Sequence, residues 1–301
     1  MKEKEIVGKE LPKYFRPSSD VGFKKIYATE GNESELIKLL NSIIDDKDIT
    51  EVTLLNPVHA INNDTTAVFD VYCKCEDGSR IIVEMQNRGG AKNFVNRALA
   101  YTALIILDQA YPRWQYRYEK VYFIGILNYI QFPERKDAFT KVGLCTIDEQ
   151  HTLVNENYLQ IYVELPKLAV KADGTTPFAE LYLCAMRDIG KVQDRPKEYQ
   201  DKGLDDLYRM SMMANFSPEE TENYTTEMGT EVDYQEYVEV CEKRAREEGR
   251  AIGVAEGEAR GEARGKAEIA RKMLSRGLDA ASISELTGLS LEQIDALTAQ
   301  I

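Results

Sequence analysis

Two carboxylates interrupt apolar, strand-like runs, and they are the side chains best placed to do chemistry. Asp70 lies inside "AVFDVYC", while Glu84 closes the apolar run "RIIV", two residues before Gln86. Asp77-Gly78 lies between the two runs and predicts a β-hairpin. Whether the carboxylates meet therefore depends on the register of that hairpin.

Two registers are compatible with this turn. A two-residue loop would place Asp70 opposite Met85 and on the other side of the sheet from Glu84. A loop of residues 76–78, with Gly78 left-handed in a bulge, places Asp70 opposite Glu84 with Cβ atoms about 4.5–5.5 Å apart. We expect the second register, because it separates polar from apolar side chains better. Its polar face adds Gln86, Tyr72 and Lys74, and its apolar face holds Phe69, Val71, Cys73, Val83 and Met85.

Carboxylates this close repel each other unless a cation lies between them. The chain has only two histidines, so a hard, oxygen-ligated ion is the natural candidate. Mg²⁺ takes one or two carboxylates and fills its remaining positions with water and substrate phosphate. Such an ion can activate water and polarise a phosphoryl oxygen. The alternative is a structural salt bridge from Asp70 or Glu84 to Arg88 or Arg97.

The composition is that of a globular protein, and the charge is unevenly distributed. The chain has 301 residues and a net charge of −13. This negative charge would repel nucleic acid and argues against a protein that coats it. Residues 88–141, however, carry nine Lys/Arg against four Asp/Glu. No apolar run is long enough to span a bilayer, and the first ten residues lack a signal-peptide core. We therefore expect a cytoplasmic protein with a local basic surface beside Glu84 and no membrane partner.

The elements that must position these residues alternate between helix and strand. Periodicity and turn residues predict helices over 18–29, 33–44 and 92–110, with Ser19 or Asp20 as the first cap. Strands are expected over 49–56, 67–75, 79–86, 120–132 and 159–165, and the chain is mostly helical from Phe178. This order predicts an α/β sandwich with a mixed sheet, in which the helix after Gln86 is the crossover to the next strand.

The C-terminal third has a different composition. An acidic connector over 216–240 precedes a helix over 241–276 in which glycine recurs every four residues, from Gly249 to Gly265. Two interpretations stay open: close contact with a second helix in a homodimer, or a solvated linker helix. The tail over 277–301 has a helix-turn-helix outline but no Lys or Arg, which favours a packing or oligomerisation element over DNA reading.

The same residues carry a resemblance to a known family. "SSDVGFKKIYATEGNESELIKLLNSII", "FDVYCKCEDGSRIIVEMQ" and "NRALAYTALIILDQA" resemble the Rpn group of recombination-promoting nucleases and transposase-like proteins, within the PD-(D/E)XK nuclease superfamily. The resemblance runs from residue 14 to about residue 240. It implies a restriction-endonuclease-like mixed β-sheet core flanked by helices over 14–215, with a helical C-terminal extension. It also implies divalent-metal-dependent cleavage of phosphodiester bonds in DNA, associated with recombination or mobile elements.

The resemblance assigns roles to particular residues. Asp70 and Glu84 match metal ligands for Mg²⁺ or Mn²⁺, and the Met85 carbonyl matches a backbone ligand. Gln86 takes a position that is lysine in much of the superfamily, and Asp20 matches an acidic position near the site. A glutamine at position 86 can orient water but adds no charge. We therefore expect a nearby cation to supply the positive charge that a lysine would bring. The candidates for that cation and for DNA or phosphate contact are Lys24, Lys25, Arg88, Lys92, Arg97 and Tyr101.

Two other functions remain open at this stage. A scaffold that keeps the nuclease fold without cleavage is compatible with the acidic composition and with the neutral Gln86. A defence or toxin nuclease would share the chemistry and differ only in biological role.

Overall fold

The computed structural model describes residues 12–62, 65–88, 92–109, 116–171, 174–200 and 202–298. The chain forms two compact units, one ending at Met228 and the other beginning at Gly229. In the described residues, no helix is both long enough and apolar enough to cross a membrane.

Within the described residues, the regular structure consists of eight strands, eight α-helices and four short 3₁₀ helices. The strands are β1 (Val52–Leu54), β2 (Val58–Asn62), β3 (Thr65–Val68), β4 (Val71–Cys75), β5 (Arg80–Gln86), β6 (Val121–Leu127), β7 (Phe139–Cys145) and β8 (Leu153–Glu164). The helices are α1 (Asp20–Tyr27), α2 (Glu33–Asn41), α3 (Lys92–Asp108), α4 (Phe178–Asp188), α5 (Asp205–Met210), α6 (Pro218–Ser275), α7 (Ala280–Thr287) and α8 (Leu291–Thr298).

Six of the strands form one mixed sheet in the order β1-β4-β5-β6-β8-β7. The central strands β5, β6 and β8 are parallel, while β1, β4 and β7 pair antiparallel to their neighbours. Parallel strands need a long crossover, and α3 supplies it between β5 and β6. The predicted α/β fold with a mixed sheet flanked by helices is confirmed.

The central strands are buried on both faces, which is why they read as continuous apolar runs. In β5, Ile81, Val83 and Met85 belong to the larger apolar cluster, which also contains residues of α1, α2 and α4. Ile82 belongs to the second cluster, with Phe94 and other residues of α3. Full burial of such a side chain contributes about 1.5–3 kcal/mol, so the two clusters fix the strand that ends at the carboxylate.

The single strand expected over 67–75 is wrong, because the chain bends at Phe69 and Asp70. Before the bend, β3 pairs with β2 in a separate two-stranded sheet, and after it β4 joins the main sheet. The bend also breaks the side-chain alternation. Phe69 therefore packs with Tyr72 in the α3-side cluster instead of sharing a face with Val71 as expected.

Helix α6 runs without interruption from Pro218 to Ser275, through both the acidic stretch and the glycine repeat. A Cβ built on any glycine from Gly249 to Gly265 meets no described atom within 4 Å. Beyond α6, α7 ends at Gly288, which has a left-handed φ of 70°, and α8 follows. Ala270, Ile283 and Ile294 pack together, so the end of α6 and the two short helices share one small core.

Candidate active site

The hairpin between β4 and β5 has the register expected from the sequence. Val71 pairs with Val83 and Lys74 with Arg80, which puts Asp70 opposite Glu84. In the connecting turn, Gly78 is left-handed with φ of 88°, and its N–H donates to the Cys75 carbonyl over 3.0 Å. Glycine adopts this conformation without the steric cost that a side chain would bring. The three-residue loop therefore sets which carboxylates meet.

Asp70 and Glu84 are tied together through the backbone. The Asp70 N–H donates to Glu84 Oε1 over 3.2 Å, and the Met85 N–H donates to Asp70 Oδ2 over 3.0 Å. Each carboxylate thus uses one oxygen on the main chain of the facing strand. The other two oxygens, Asp70 Oδ1 and Glu84 Oε2, face side chains instead.

Burial makes this pair electrostatically costly. The side chains of Asp70 and Glu84 are only 13% and 4% exposed. Burial, followed by repulsion from Asp70, raises the pKa of Glu84 from 4.5 to about 8. Burial also raises the pKa of Asp70, and the charge of Asp20 adds to the shift against the attraction of Lys24. Such raised pKa values indicate that the nearby positive charge does not fully offset the burial and mutual repulsion of the two carboxylates.

Lys24 and Arg97, both considered from the sequence, lie close to the pair. Lys24 Nζ lies 3.0 Å from Asp70 Oδ1, and an Arg97 guanidinium nitrogen lies 3.8 Å from Glu84 Oε2. Arg97 is also held over two rings, 4.9 Å from the centre of Phe94 and 5.9 Å from that of Tyr101. Burial works against the charge on Lys24, but the combined attraction and hydrogen bonds of Asp70 and Asp20 raise the pKa of the ammonium.

The Gln86 side chain turns back toward its own strand. Its Nε2 donates to the Met85 carbonyl over 3.0 Å, while the backbone carbonyl of Gln86 accepts from the Asn128 N–H over 2.8 Å. The amide therefore lies against the backbone oxygen that the resemblance assigns to the metal. Asn128, which follows β6, was not singled out in the sequence because nothing nearby in the chain indicates its role.

Helix α1 brings Asp20 and Lys24 to the site. Ser19 caps the helix by accepting from the Gly22 N–H, and Asp20 Oδ2 lies 3.6 Å from Lys24 Nζ. A second cap comes from α6: Glu227 accepts from the Asp20 N–H over 2.6 Å and from the Val21 N–H over 3.1 Å. Glu227 was missed in the sequence, because it stands in an acidic stretch with no local signal for capping a distant helix.

Lys25, Arg88 and Tyr101 are the other predicted contact residues whose side chains the structure describes. Lys25 pairs with Glu220 of α6 over 2.8 Å, and Arg88 is exposed just beyond β5. Lys92 opens α3, but its side chain lies outside the described residues. Tyr101 packs edge-on against Phe69 with ring centres 4.8 Å apart. Burial raises the pKa of Tyr101, and the nearby charge of Glu84 contributes.

The donor atoms at this site fit a hard divalent cation. Among the described residues no group of three or more His, Cys, Asp or Glu side chains is arranged around a common point. The carboxylates of Asp70 and Glu84, with water and substrate oxygens, form an oxygen-only donor set that suits Mg²⁺ or Mn²⁺. The raised pKa values of the pair are the observation that a bound cation would relieve.

A carboxylate pair on a β-hairpin, followed by a crossover helix and a parallel strand, defines the class of PD-(D/E)XK nuclease folds. The chain belongs to the PD-(D/E)XK nuclease family transposase group, whose family model matches residues 17–241. A second model, described as Rpn/YhgA-like nuclease family, C-terminal HTH domain, matches residues 264–299. These matches confirm the resemblance to the Rpn group. No match was found among curated proteins or solved structures.

The second match begins before the small helical tail that the sequence set apart. The sequence set a tail at 277–301, which contains no Lys or Arg, whereas the match starts inside α6. The added segment is basic, with Arg264, Lys266, Arg271, Lys272 and Arg276. The charge argument against DNA contact therefore applied to only part of the matched segment.

Proposed function

We propose that this protein is a divalent-metal-dependent DNA endonuclease that cleaves phosphodiester bonds, acting in recombination or on mobile elements. The observation that carries the proposal is the buried Asp70–Glu84 pair, in which the backbone hydrogen bonds leave Asp70 Oδ1 and Glu84 Oε2 directed at side-chain cations. The family membership and the C-terminal HTH match support DNA as the partner.

Asp70 and Glu84 would hold the metal, with the Met85 carbonyl as a backbone ligand. When bound, a divalent cation lowers the pKa of a bound water and polarises a phosphoryl oxygen. The Gln86 amide, which donates to the Met85 carbonyl, would orient water by hydrogen bonds once a metal takes that carbonyl, and Lys24 and Arg97 flank the pair with positive charge. Positive charges in a partly buried site stabilise negative charge more strongly than they would in water.

Plasmid nicking tests the proposal directly. Purified protein is incubated with supercoiled plasmid and Mg²⁺ or Mn²⁺, beside an Asp70→Ala variant and a chelator control. We expect nicking by the wild type that both the variant and the chelator abolish. Absence of nicking by the wild type, or equal nicking by both proteins, would contradict it.

One observation favours a second function. Lys24 and Arg97 already accompany the carboxylates, as they would in a structural ion cluster of a non-catalytic DNA-associated scaffold. Calorimetry with Mn²⁺ separates the two functions. A nuclease loses Mn²⁺ binding in Asp70→Ala, whereas a scaffold shows no Mn²⁺ binding that depends on Asp70.

A further inference from the structure

Lys24 pairs with Asp70 Oδ1, the carboxylate oxygen that accepts no backbone hydrogen bond from Met85. Asp70 Oδ2 accepts from the Met85 N–H, and Lys24 Nζ lies 3.0 Å from the other oxygen, Oδ1. A cation held by the carboxylate pair would need that same oxygen. Lys24 and a metal ion are therefore competitors for Asp70.

We propose that Lys24 has two positions: on Asp70 Oδ1 when no metal is present, and on the scissile phosphate when a metal takes that oxygen. In the second position its ammonium stabilises the negative charge that develops on the phosphoryl oxygens during cleavage. This inference rests on the proposed nuclease function and deepens it, because it names the side chain that supplies the positive charge Gln86 lacks.

The exposure of Lys24 favours this role over that of a purely structural partner. Its side chain is 46% exposed, so its ammonium can leave Asp70 and still be solvated or meet a phosphate. Asp20 Oδ2, 3.6 Å away, offers a nearby second anchor on the same helix. Lys24 is the exposed member of the pair, and a metal that replaced it would keep the buried Asp70 carboxylate compensated, so exchanging its partner costs little.

Arg97 is less suited to move. Its guanidinium stacks over Phe94 and Tyr101, and its contact with Glu84 is longer, at 3.8 Å. Stacking on two rings holds a guanidinium in place, whereas a lysine ammonium is a compact charge on a flexible stem. Arg97 is thus a fixed charge beside Glu84, and Lys24 is the mobile one.

Two capping side chains hold the first turn of the helix that carries Lys24. Glu227 accepts from the backbone N–H groups of Asp20 and Val21, and Ser19 accepts from that of Gly22. The start of α1 is therefore fixed, and only the Lys24 side chain has to move. Placing a mobile charge on a fixed backbone reduces the entropy lost when the phosphate binds.

The test combines metal affinity with cleavage in Lys24→Met. We expect Mn²⁺ to bind this variant about two- to fivefold more tightly by calorimetry, because a weak competitor is gone. Cleavage of supercoiled plasmid at saturating Mn²⁺ should fall by about 100-fold, as for the loss of one preorganised electrostatic stabiliser. A purely structural role would lower both the Mn²⁺ affinity and the cleavage rate. Tighter Mn²⁺ binding together with slower cleavage therefore distinguishes the proposed role.

The matched control is Lys141→Met. Lys141 has a similar exposure, 43%, and also pairs with an aspartate, Asp45, but it lies on the edge strand β7. Both measurements should stay at wild-type values. A double variant, Lys24→Met with Gln86→Lys, returns a cation beside the carboxylate pair. Its cleavage rate should be at least about tenfold higher than that of Lys24→Met.

Three results would overturn the inference: Mn²⁺ binding to Lys24→Met that is unchanged or weaker, cleavage at the wild-type rate, or no recovery in the double variant. If Lys24→Met fails to fold by circular dichroism, Lys24→Gln carries the same expectations. Absence of cleavage by the wild type would refute the proposed nuclease function. The Mn²⁺ affinity would still decide whether Lys24 competes for Asp70.

Discussion

The backbone N–H of Asp70 donates a hydrogen bond to the Glu84 carboxylate over 3.2 Å, so one member of the pair positions the other. The return bond, from the Met85 N–H to Asp70, closes the arrangement across the hairpin. Both carboxylates are thereby oriented before any ligand arrives. Such preorganisation is what a metal site needs, because ligands that are already fixed lose little entropy on binding.

The raised pKa of Glu84 predicts that its ionisation destabilises the metal-free protein. Below its ordinary pKa of 4.5, Glu84 is protonated in both the folded and the unfolded chain and contributes nothing. Between 4.5 and about 8 the unfolded chain releases the proton while the folded chain keeps it, so the free energy of unfolding falls as pH rises. Above a pH of about 8, Glu84 is ionised in both states and the free energy of unfolding falls no further on its account.

Glu84→Gln removes this titration. Relative to the wild type, the variant should gain stability as pH rises through that window, as measured by urea denaturation without divalent metal at about pH 5 and about pH 8. Mn²⁺ at the higher pH should stabilise the wild type and leave the variant unchanged. Parallel pH profiles for the two proteins would contradict the assignment.

Gly125→Ala tests the contact that supports α3 behind the site. A Cβ at Gly125 of β6 would lie 2.8 Å from a ring carbon of Phe94, the residue over which Arg97 stacks. Overpacking of this kind costs about 1–3 kcal/mol, so the midpoint of unfolding should fall. Gly229→Ala is the control, because a Cβ at Gly229 meets no described atom within 4 Å. Its midpoint of unfolding should not fall.

Glu227→Ala should loosen the start of α1. Loss of an N-terminal cap typically costs about 0.5–2 kcal/mol, and the variant should also cleave more slowly because α1 carries Lys24. Glu227→Gln keeps an acceptor oxygen and should retain more of both stability and rate. Glu222→Ala, at an exposed position of the same helix, is the matched control. Equal loss in Glu222→Ala would show a general effect of α6.

The glycine repeat of α6 gives opposite predictions for a linker and for a dimer contact. In an unpartnered helix, replacing Gly253 and Gly257 with Ala should stabilise α6 by up to about 1 kcal/mol for each residue. In a close helix–helix contact, the added methyl groups should separate the two chains. We predict a homodimer, so light scattering should show a dimer for the wild type and a monomer for the double variant. A wild-type monomer would contradict the prediction.

Local signals were sufficient for much of this protein. Asp77-Gly78 and the alternation of side chains on both sides predicted the hairpin register, because a turn and its two flanking strands are close in the sequence. The apolar runs of β5 and β6 and the period of α3 likewise predicted the core of the sheet. The facing positions of Asp70 and Glu84 followed from these elements.

Other features depended on residues that are distant in the chain. The bend at Phe69 arises because β3 pairs with β2 while β4 pairs with β1 and β5, and no local pattern records that choice. The C-terminal family match begins inside α6, an uninterrupted helix whose last turns join the core of α7 and α8, and no local break in the sequence marks that start.

The sequence by itself determined which carboxylates face each other, since the turn chemistry and the two-residue period of a strand leave one register that buries the apolar face. Only the tertiary structure decided which cation meets Asp70. Several basic side chains were candidates, and the packing of α1 against the sheet, with Glu227 of α6 at its first turn, brings Lys24 to Asp70. That choice depends on how separate elements pack, and a lysine side chain carries no local signal of its future partner.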